Sequence, residues 1–264
     1  MLGLGIDIPS TQKGITGFSP MEVGDLSYYF DANNTTGWSI TAGRIALIKN
    51  RGLQTDYDFA QPTSLNSPTW SETGGSNNKA YVGFDSSNSA SMFTSDDGGD
   101  TVSDVPLGDY YTIFAVSYLN TTTSPANYGL ACMRKTGLNR WLFRQVLGGT
   151  DQVQLSNWDA SAIKTDGTAD TTMAETWVIA IGKVYDDGGT DTVEAYVNNT
   201  TNTGQAIANA LVDTVCALSI GKGNLAGQYM DGYISEFGVY NKALTTGQQE
   251  RLTNYLSNKY AITI

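Results

Sequence analysis

The stretch that decides the fold is LSIGKGNLAGQYMDGYISEFGVY at residues 218–240. It contains two runs rich in β-branched and aromatic residues, at 218–220 and 230–240, and a Gly-rich segment joins them. Residues of the first kind favour strands, whereas glycine-rich segments favour turns. The stretch therefore predicts two β-strands that are connected by a loop.

The residues that follow, NKALTTGQQERLTNYLSNKY at 241–260, predict a helix. Thr245 stands three residues ahead of Gln248, and this spacing is the pattern of a helix capping box. Apolar and aromatic residues then recur every three or four positions, so one stripe of the helix can lie on a sheet. The residues of this stripe are Leu252, Tyr255, Leu256 and Tyr260.

The order of these parts resembles the closing segment of laminin-G-like (concanavalin A-like) jelly-roll domains. Those domains run hydrophobic-x-Gly, then Asp-Gly-x-Ile-x-Glu-hydrophobic-x-hydrophobic-Tyr-x-x-x-Leu, then a helix. The matching residues here are Ile220, Gly221, Asp231, Gly232, Ile234, Glu236, Phe237, Val239, Tyr240 and Leu244. Similar stretches begin at Tyr28, Ala80 and Trp177, so the resemblance covers residues 28–260. It implies an all-β, two-sheet antiparallel jelly-roll sandwich, a fold that hosts lectins, hydrolases and structural modules alike.

The chain is predicted to form one jelly-roll domain, residues 25–264, preceded by an anchoring arm, residues 1–24. Within the domain, residues 110–119 read as a strand that is apolar on both faces, and we expect a loop or a partner to cover its outer face. In the arm, apolar residues alternate with Gly and Asp at the period of a strand. We expect them to bind a partner chain, with folding back on the arm's own sandwich as the alternative. These arm residues are Leu2, Leu4, Ile6 and Ile8.

The composition indicates an acidic, globular and β-rich chain. Of its 264 residues, 40% are hydrophobic and only 16% are charged, with 29 Gly and 15 Tyr. The formal net charge of −11 argues against nucleic acid and against an anionic membrane as partners, because basic surfaces bind both. The N-terminal residues lack the basic start and the long apolar core of a signal peptide, and no apolar run approaches the ~20 residues of a membrane span.

The sequence offers little equipment for catalysis. Histidine is absent, which removes Ser-His-Asp and Cys-His nucleophilic catalysis and His-ligated metals. Glycan-cleaving relatives of the resembled fold carry Glu-x-Asp-x-x-Glu on one strand, and no Glu-x-Asp occurs in this chain. We therefore expect no enzymatic activity, and we expect Glu236 to have a structural place.

Two cysteines and two acidic loops leave alternatives open. Cys132 and Cys216 both lie in apolar runs, which favours buried thiols, with a disulfide as the alternative if their strands are neighbours. The loops at 95–100 and 186–191 carry several Asp carboxylates that calcium could use. Since Asp-Gly is also ordinary hairpin chemistry, we expect no cofactor and keep calcium as the alternative.

A glycan site would need an aromatic platform framed by Asn, Asp or Gln. Trp158 lies between Asn157 and Asp159, a polar setting typical of a strand end or a loop, and these three residues are the candidate glycan contacts. Trp38 and Trp141 are further candidates, although a Trp in a β-sandwich is more often part of the core.

Two classes of function remain. The first is a non-enzymatic structural protein of a bacteriophage particle, a head decoration or fibre protein or a tail or neck appendage, that anchors by its arm and displays a lectin-like sandwich. The chain resembles such proteins in its Met-Leu-Gly-Leu-Gly start, its Asn, Thr and Gly content and its ending Leu-Ser-Asn-Lys-Tyr at 256–260. The expected partners are other virion proteins, further copies of the chain and a host-surface glycan, and the expected location is the virion, assembled in the host cytoplasm. The alternative is a free-standing carbohydrate-binding lectin or adhesion module.

Overall fold

The computed structural model describes residues 18–96, 104–120, 126–135, 138–147, 151–158, 163–169, 173, 175–201, 204–207, 216–223 and 228–264. Strands β1 to β9 are Leu26–Asp31, Ser39–Thr41, Arg44–Ile48, Tyr57–Ala60, Thr69–Ser71, Tyr81–Phe84, Met92–Asp96, Tyr111–Leu119 and Ala126–Lys135. Strands β10 to β18 are Leu138–Leu147, Gln152–Trp158, Ile163–Ala169, Val178–Asp186, Asp191–Val197, Thr200–Thr201, Gln205–Ala206, Ala217–Ile220 and Gly232–Tyr240. The α-helix α1 is Thr246–Tyr260, and short 3-10 helices are Pro20–Val23, Ser64–Asn66, Ser76–Asn78 and Ser86–Asn88.

The strands form two packed layers. The first layer runs β3-β4-β7-β17-β9-β10-β11-β12. In the second layer, β18 has β8 on one side and both β1 and β6 on the other, and β13 and β14 continue beyond β8. Strand β3 links the layers, since it also pairs with β5, which pairs with β6. All of these pairings are antiparallel, so the predicted jelly-roll sandwich is confirmed.

Aromatic side chains fill the space between the layers. Phe30, Phe59 and Phe237 contact one another, with ring centroids 6.2, 5.9 and 6.3 Å apart. Tyr111 of the second layer stacks on the fully buried Trp141 of the first layer at 5.8 Å. Each large apolar side chain buried in this way contributes roughly 1.5–3 kcal/mol, which makes the interlayer core the main source of stability.

Helix α1 covers part of the outer face of the second layer. The predicted capping box is present, because the Thr245 hydroxyl accepts from the backbone N–H of Gln248 and the Gln248 side chain accepts from that of Thr245. The helix stripe packs on outward residues of β1, β8, β13 and β18. Buried residues at this contact are Tyr29, Phe114, Val116, Ile179, Ile181, Tyr240, Leu252, Leu256 and Tyr260.

This contact corrects one prediction from the sequence. The outer face of β8 was expected to lie under a loop or a partner, and the helix of the same chain covers Phe114 and Val116. The sequence periodicity of α1 showed that it had a sheet to cover, but not which strand would receive it. Among the described residues, no helix is long and apolar enough to cross a lipid bilayer.

Gly232 of the C-terminal motif allows a close approach of two strands. A Cβ at this position would lie 2.0 Å from the carbonyl oxygen of Tyr118, and the backbone has a φ of 159°. Because a Cβ cannot come so close to a backbone atom, glycine is the residue that lets β18 enter the sheet beside β8. The motif residue is thus explained by backbone packing.

Glu236 of the same motif is at the centre of a buried ionic cluster. It is fully buried, and its carboxylate accepts hydrogen bonds from the hydroxyls of Tyr29 (2.7 Å) and Tyr260 (2.9 Å). Lys259 of α1 lies 2.7 Å from Glu236 and 2.7 Å from Asp31 of β1, so it pairs with both carboxylates. Burial raises the pKa of Glu236, and the Lys259 charge opposes that shift. This is the structural place that we expected for Glu236.

The described part of the predicted arm, residues 18–24, lies on the sandwich of this chain. Phe18 packs edge-on against Tyr255 at 5.7 Å, and the Tyr240 hydroxyl donates to the carbonyl oxygen of Pro20 at 2.9 Å. The remaining arm, including Leu2, Leu4, Ile6 and Ile8, lies outside the described residues. Partner binding by those four side chains, and a domain boundary at residue 24, therefore stay predictions.

Both cysteines are buried thiols that form no disulfide with each other, which is the favoured alternative from the sequence. Cys132 lies on β9, and the register of β9 with β17 places Ser219, not Cys216, opposite it. Burial raises the pKa of the Cys132 thiol to about 12, so it stays protonated at neutral pH.

Candidate functional site

Four aromatic side chains form a contiguous surface on the outer face of the second layer, beside the part that α1 covers. We call this surface the aromatic patch; it consists of Tyr81, Tyr118, Trp177 and Tyr233. Tyr118 and Tyr233 lie directly opposite each other on β8 and β18. Trp177 immediately precedes β13, and Tyr81 begins β6. All four side chains are partly exposed, so their ring surfaces reach the solvent.

The rings of the aromatic patch contact one another. Tyr233 is central: its ring centroid lies 4.5 Å from that of Tyr81, 5.5 Å from that of Tyr118 and 6.3 Å from that of Trp177. The ring planes of Tyr118 and Trp177 are within 30° and 27° of the plane of Tyr233. The patch is therefore one continuous aromatic surface and not four isolated rings.

Strand alternation explains why these side chains share a face. Along β8, the side chains of Tyr111, Ile113 and Ala115 enter the interlayer core, and the alternate positions face outwards. Tyr118 is the last outward position of β8, beyond the reach of the helix. On the neighbouring strand β6, Gly83 lies opposite Tyr233, and a Cβ there would come 3.5 Å from the Tyr233 ring. The same Cβ would lie 2.6 Å from the Thr69 hydroxyl, so the glycine makes room for Thr69 beside the Tyr233 ring.

The polar atoms of the patch are available to a ligand. No described residue is hydrogen bonded to the hydroxyls of Tyr81, Tyr118 or Tyr233, or to the indole N–H of Trp177. Burial raises the pKa of Tyr118, and the nearby charge of Glu175 adds to that shift, so the hydroxyl remains a hydrogen-bond donor. Each ring thus combines an apolar face with an unused donor.

A polar cleft of about 410 Å³ adjoins the patch at Tyr233. Its polar lining comes from Arg44, Asp85, Asn88, Asn120 and Asp231, and we call it the polar cleft. The Asn120 amide donates to the Asp231 carboxylate at 3.0 Å, which fixes both side chains at the end of β8. On the far side of the patch, a second groove of about 470 Å³ is lined by residues that include Ser76, Glu175 and Asn198.

Asp85 of the polar cleft is a hydrogen-bond acceptor that is fixed by its neighbours. Asp85 caps a 3-10 turn: it accepts from the Ser87 hydroxyl at 2.6 Å, from the Ser87 backbone at 2.9 Å and from the Asn88 amide at 2.6 Å. These hydrogen bonds, with that of the Ser87 hydroxyl first, lower the pKa of Asp85. The cleft therefore offers rigid carboxylates and amides next to an aromatic surface, which is the combination that orients a polyhydroxylated ligand.

The sequence-predicted glycan contacts do not form this site. Asn157 is buried, and its Oδ1 accepts from the Tyr111 hydroxyl at 2.7 Å. Strand alternation directs it into the core, which contradicts a glycan contact at this residue. Trp158 is partly buried at the end of β11, and Asp159 lies outside the described residues, so for these two the contact stays a prediction.

The other tryptophan candidates also lie away from a ligand surface. Trp141 is fully buried, and Trp38 packs partly buried against the interlayer core, where its ring meets Phe30 at 6.0 Å. The tryptophan that contributes to the patch, Trp177, enters the sequence analysis only as the start of a stretch that resembles jelly-roll domains. The alternation of side chains along β8 and β18 could have indicated that Tyr118 and Tyr233 face outwards. That the two rings contact each other follows only from the pairing of the two strands.

The two loops considered for calcium differ in what the structure shows. Asp186 accepts from the backbone N–H of Gly189, and Asp191 accepts from the Tyr110 hydroxyl at 2.8 Å, so 186–191 is the turn of the β13–β14 hairpin. In the other loop, Asp97 and Asp100 lie outside the described residues. Within the described ranges, no cluster of three or more His, Cys, Asp or Glu side chains is arranged to hold a metal ion.

No protein-family model and no curated protein matches the chain, but solved structures share its fold. The binding domain of Paraclostridial Mosquitocidal Protein 1 is similar with a TM-score of 0.55 and 12% identity, over 89% of this chain and 53% of that one. The Botulinum Neurotoxin Type G Receptor Binding Domain gives 0.53 and 11%, over 89% and 52%, and the receptor binding domain of botulinum neurotoxin D gives 0.51 and 9%, over 88% and 52%. The chain spans about half the length of these structures, and the similarity shows a common jelly-roll fold.

Proposed function

We propose that this chain is a non-enzymatic, lectin-like binding module that recognises a glycan with the aromatic patch and the polar cleft. The observation that carries the proposal is the continuous surface of four partly exposed rings, with unused hydroxyls, next to fixed carboxylates and amides. An exposed aromatic surface of this kind is a mark of an interaction site. The names of the similar neurotoxin domains state receptor binding, which is a role of the same class.

The geometry suggests how a sugar would bind. The C–H face of a pyranose ring is apolar and would lie on the Tyr233 and Tyr118 rings, while the sugar hydroxyls at its edge need donors and acceptors. Asp231, Asn120 and Asp85 provide these groups within the adjoining polar cleft. Stacking would supply affinity, and the hydrogen bonds at the rim would select the sugar. Neither role requires a group that transfers protons to the ligand.

A glycan array tests this proposal. The wild-type chain should bind a subset of neutral glycans, and the double variant Tyr118→Ala/Tyr233→Ala should bind them at least tenfold more weakly, a loss of about 1.4 kcal/mol or more. The matched control is Tyr110→Ala, which removes an exposed tyrosine. Tyr110 lies just before the first residue of β8, whereas Tyr118 lies near the last residue of the same strand. The absence of any bound glycan for the wild-type chain, or equal binding by the double variant, would refute the proposal.

The virion context is a further part of the proposal, and its support is the sequence of the arm. Residues 18–24 dock beside α1 through Phe18 and Pro20, so the position of Phe18 on the sandwich is fixed. Deletion of residues 1–17 separates the roles. If Leu2, Leu4, Ile6 and Ile8 anchor the module to a particle, the truncated chain keeps its melting temperature and its glycan binding but fails to co-sediment with particles. Unfolding of the truncated chain would instead favour an arm that belongs to the sandwich.

A further inference from the structure

A different groove, separate from those beside the aromatic patch, lies on the outer face of the first layer, on the opposite side of the sandwich from the patch. Its volume is about 520 Å³. The floor is formed by outward side chains of three paired strands, β7, β17 and β9, where Phe93, Ser219 and Cys132 lie side by side. We call this the cationic groove, for the charges described below. A groove of this volume accommodates a mono- or disaccharide-sized ligand.

One wall of the cationic groove consists of Lys222, Gly223 and Tyr229. Lys222 and Tyr229 form an isolated antiparallel bridge, and the Lys222 Nζ lies 5.3 Å from the centroid of the Tyr229 ring. Gly129 of β9 packs against Gly223, since a Cβ at position 129 would lie 2.0 Å from the backbone nitrogen of Gly223. The position of the Lys222 ammonium is therefore set by backbone packing and by a cation–π contact.

The opposite wall is polar and equally well fixed. The buried amide of Gln61 donates to the carbonyl oxygen of Ser91 at 2.9 Å and accepts from the backbone N–H of Thr63 at 3.2 Å. These bonds hold the segment that brings the side chains of Asn66 and Ser89 to the groove. The amide of Asn66 has no hydrogen-bond partner among the described residues, so it can serve a ligand.

The charged side chains that line the groove are cationic, in a chain of net negative charge. Arg134 of β9 and Lys222 both line it, and no described lining residue is an Asp or Glu. In a chain with a net charge of −11, a concave site of this kind concentrates positive potential where an anion can enter.

We propose that the cationic groove binds an acidic sugar, a saccharide that carries a carboxylate or a sulfate. The anionic group would pair with Arg134 and Lys222, the ring would contact Phe93 and Tyr229, and the sugar hydroxyls would reach Asn66 and the serines of the wall. This site is distinct from the aromatic patch, so the module has two ligand surfaces on opposite faces. A branched or polymeric acidic glycan could then link several modules.

Isothermal titration calorimetry on the full chain tests this inference. The probes are a galacturonic acid trisaccharide, galactose 6-sulfate and neutral galactose. The wild-type chain should bind at least one acidic probe at low ionic strength, at least tenfold more tightly than galactose, with affinity that falls as salt is added. Comparison of the two acidic probes tells which anionic group the groove prefers.

Charge-matched variants locate the binding. Arg134→Gln/Lys222→Gln should weaken the acidic probe at least tenfold, whereas Arg251→Gln/Lys79→Gln, which removes the same charge elsewhere, should leave it within twofold. Tyr118→Ala/Tyr233→Ala should also leave it unchanged, which separates this inference from the glycan site proposed above. Binding of galactose as tight as that of the acids, no binding of either acid, or wild-type affinity in Arg134→Gln/Lys222→Gln would overturn the inference.

Discussion

The outer face of the second layer has two halves that are built from the same strands and differ in what covers them. In the half under α1, the hydroxyls of Tyr29 and Tyr260 donate to Glu236, and that of Tyr240 donates to the carbonyl oxygen of Pro20. In the uncovered half, the hydroxyls of Tyr118 and Tyr233 have no partner among the described residues. Both halves present tyrosine on β8 and β18 or their neighbours, so residue type alone does not distinguish them.

The difference teaches where stability and binding reside. A hydroxyl that is buried must find a partner in the chain, because an unsatisfied buried polar group is costly. A hydroxyl at the surface is satisfied by water, and water can be replaced by a ligand. The covered half should therefore respond to mutation in the free energy of unfolding, and the uncovered half in ligand affinity.

Alkaline pH should have the largest effect on the covered half. Burial raises the pKa of Tyr29, Tyr240 and Tyr260 above the usual value near 10. Burial alone would lower the pKa of Lys259, but the charges of Glu236 and Asp31 outweigh it and raise that pKa as well. The folded chain then holds protons that the unfolded chain loses, so the free energy of unfolding should fall as pH rises above about 10.

Urea denaturation followed by circular dichroism at pH values between about 8 and 11.5 measures this fall. The tyrosinate absorbance of the buried side chains should appear together with the loss of tertiary signal. A free energy of unfolding that stays constant over the whole interval would contradict the assignment of these groups to a closed cluster.

The next largest effect is expected from Lys259→Met. The substitution removes the cation that lies 2.7 Å from both Glu236 and Asp31 and leaves two carboxylates close together under the helix. Loss of one partner of a buried ion pair typically costs about 3–5 kcal/mol, and we expect a loss of this size in the urea-derived free energy of unfolding. The matched control is Lys242→Met, since Lys242 pairs with the mostly exposed Asp25 at 3.1 Å and should contribute about 0–1 kcal/mol. Equal losses in the two variants would show that the cluster is not closed to water.

The smallest effects are expected from two Tyr→Phe substitutions, one in each half. They give the sharpest comparison, because each substitution removes a single hydroxyl oxygen. Tyr29→Phe deletes a hydroxyl that donates to the buried Glu236 carboxylate at 2.7 Å, and it should cost about 1.5–3 kcal/mol of folding free energy. Tyr118→Phe deletes a surface hydroxyl of the aromatic patch and should change stability by less than about 0.5 kcal/mol. Parallel thermal and urea denaturation of both variants gives the two values, and a reversed order would remove the distinction between the halves.

Much of the fold was readable in the sequence because local rules specify it. The capping box at Thr245 and the helix stripe that ends at Tyr260 each depend on neighbours along the chain. Gly232 and Glu236 of the C-terminal motif were recognised by resemblance, and the structure supplied their physical reasons. The sequence also excluded histidine chemistry without reference to any fold.

The candidate sites were not readable in the same way, because their parts are distant in sequence. Tyr81, Tyr118, Trp177 and Tyr233 come from four segments, and only the pairing of β6, β18, β8 and β13 makes their rings contact. The opposite error has the same cause: Asn157 lies in a polar stretch, yet its strand points it into the core. Local sequence determines which elements form and which positions alternate, whereas the register between strands decides which aromatic and charged side chains share a surface.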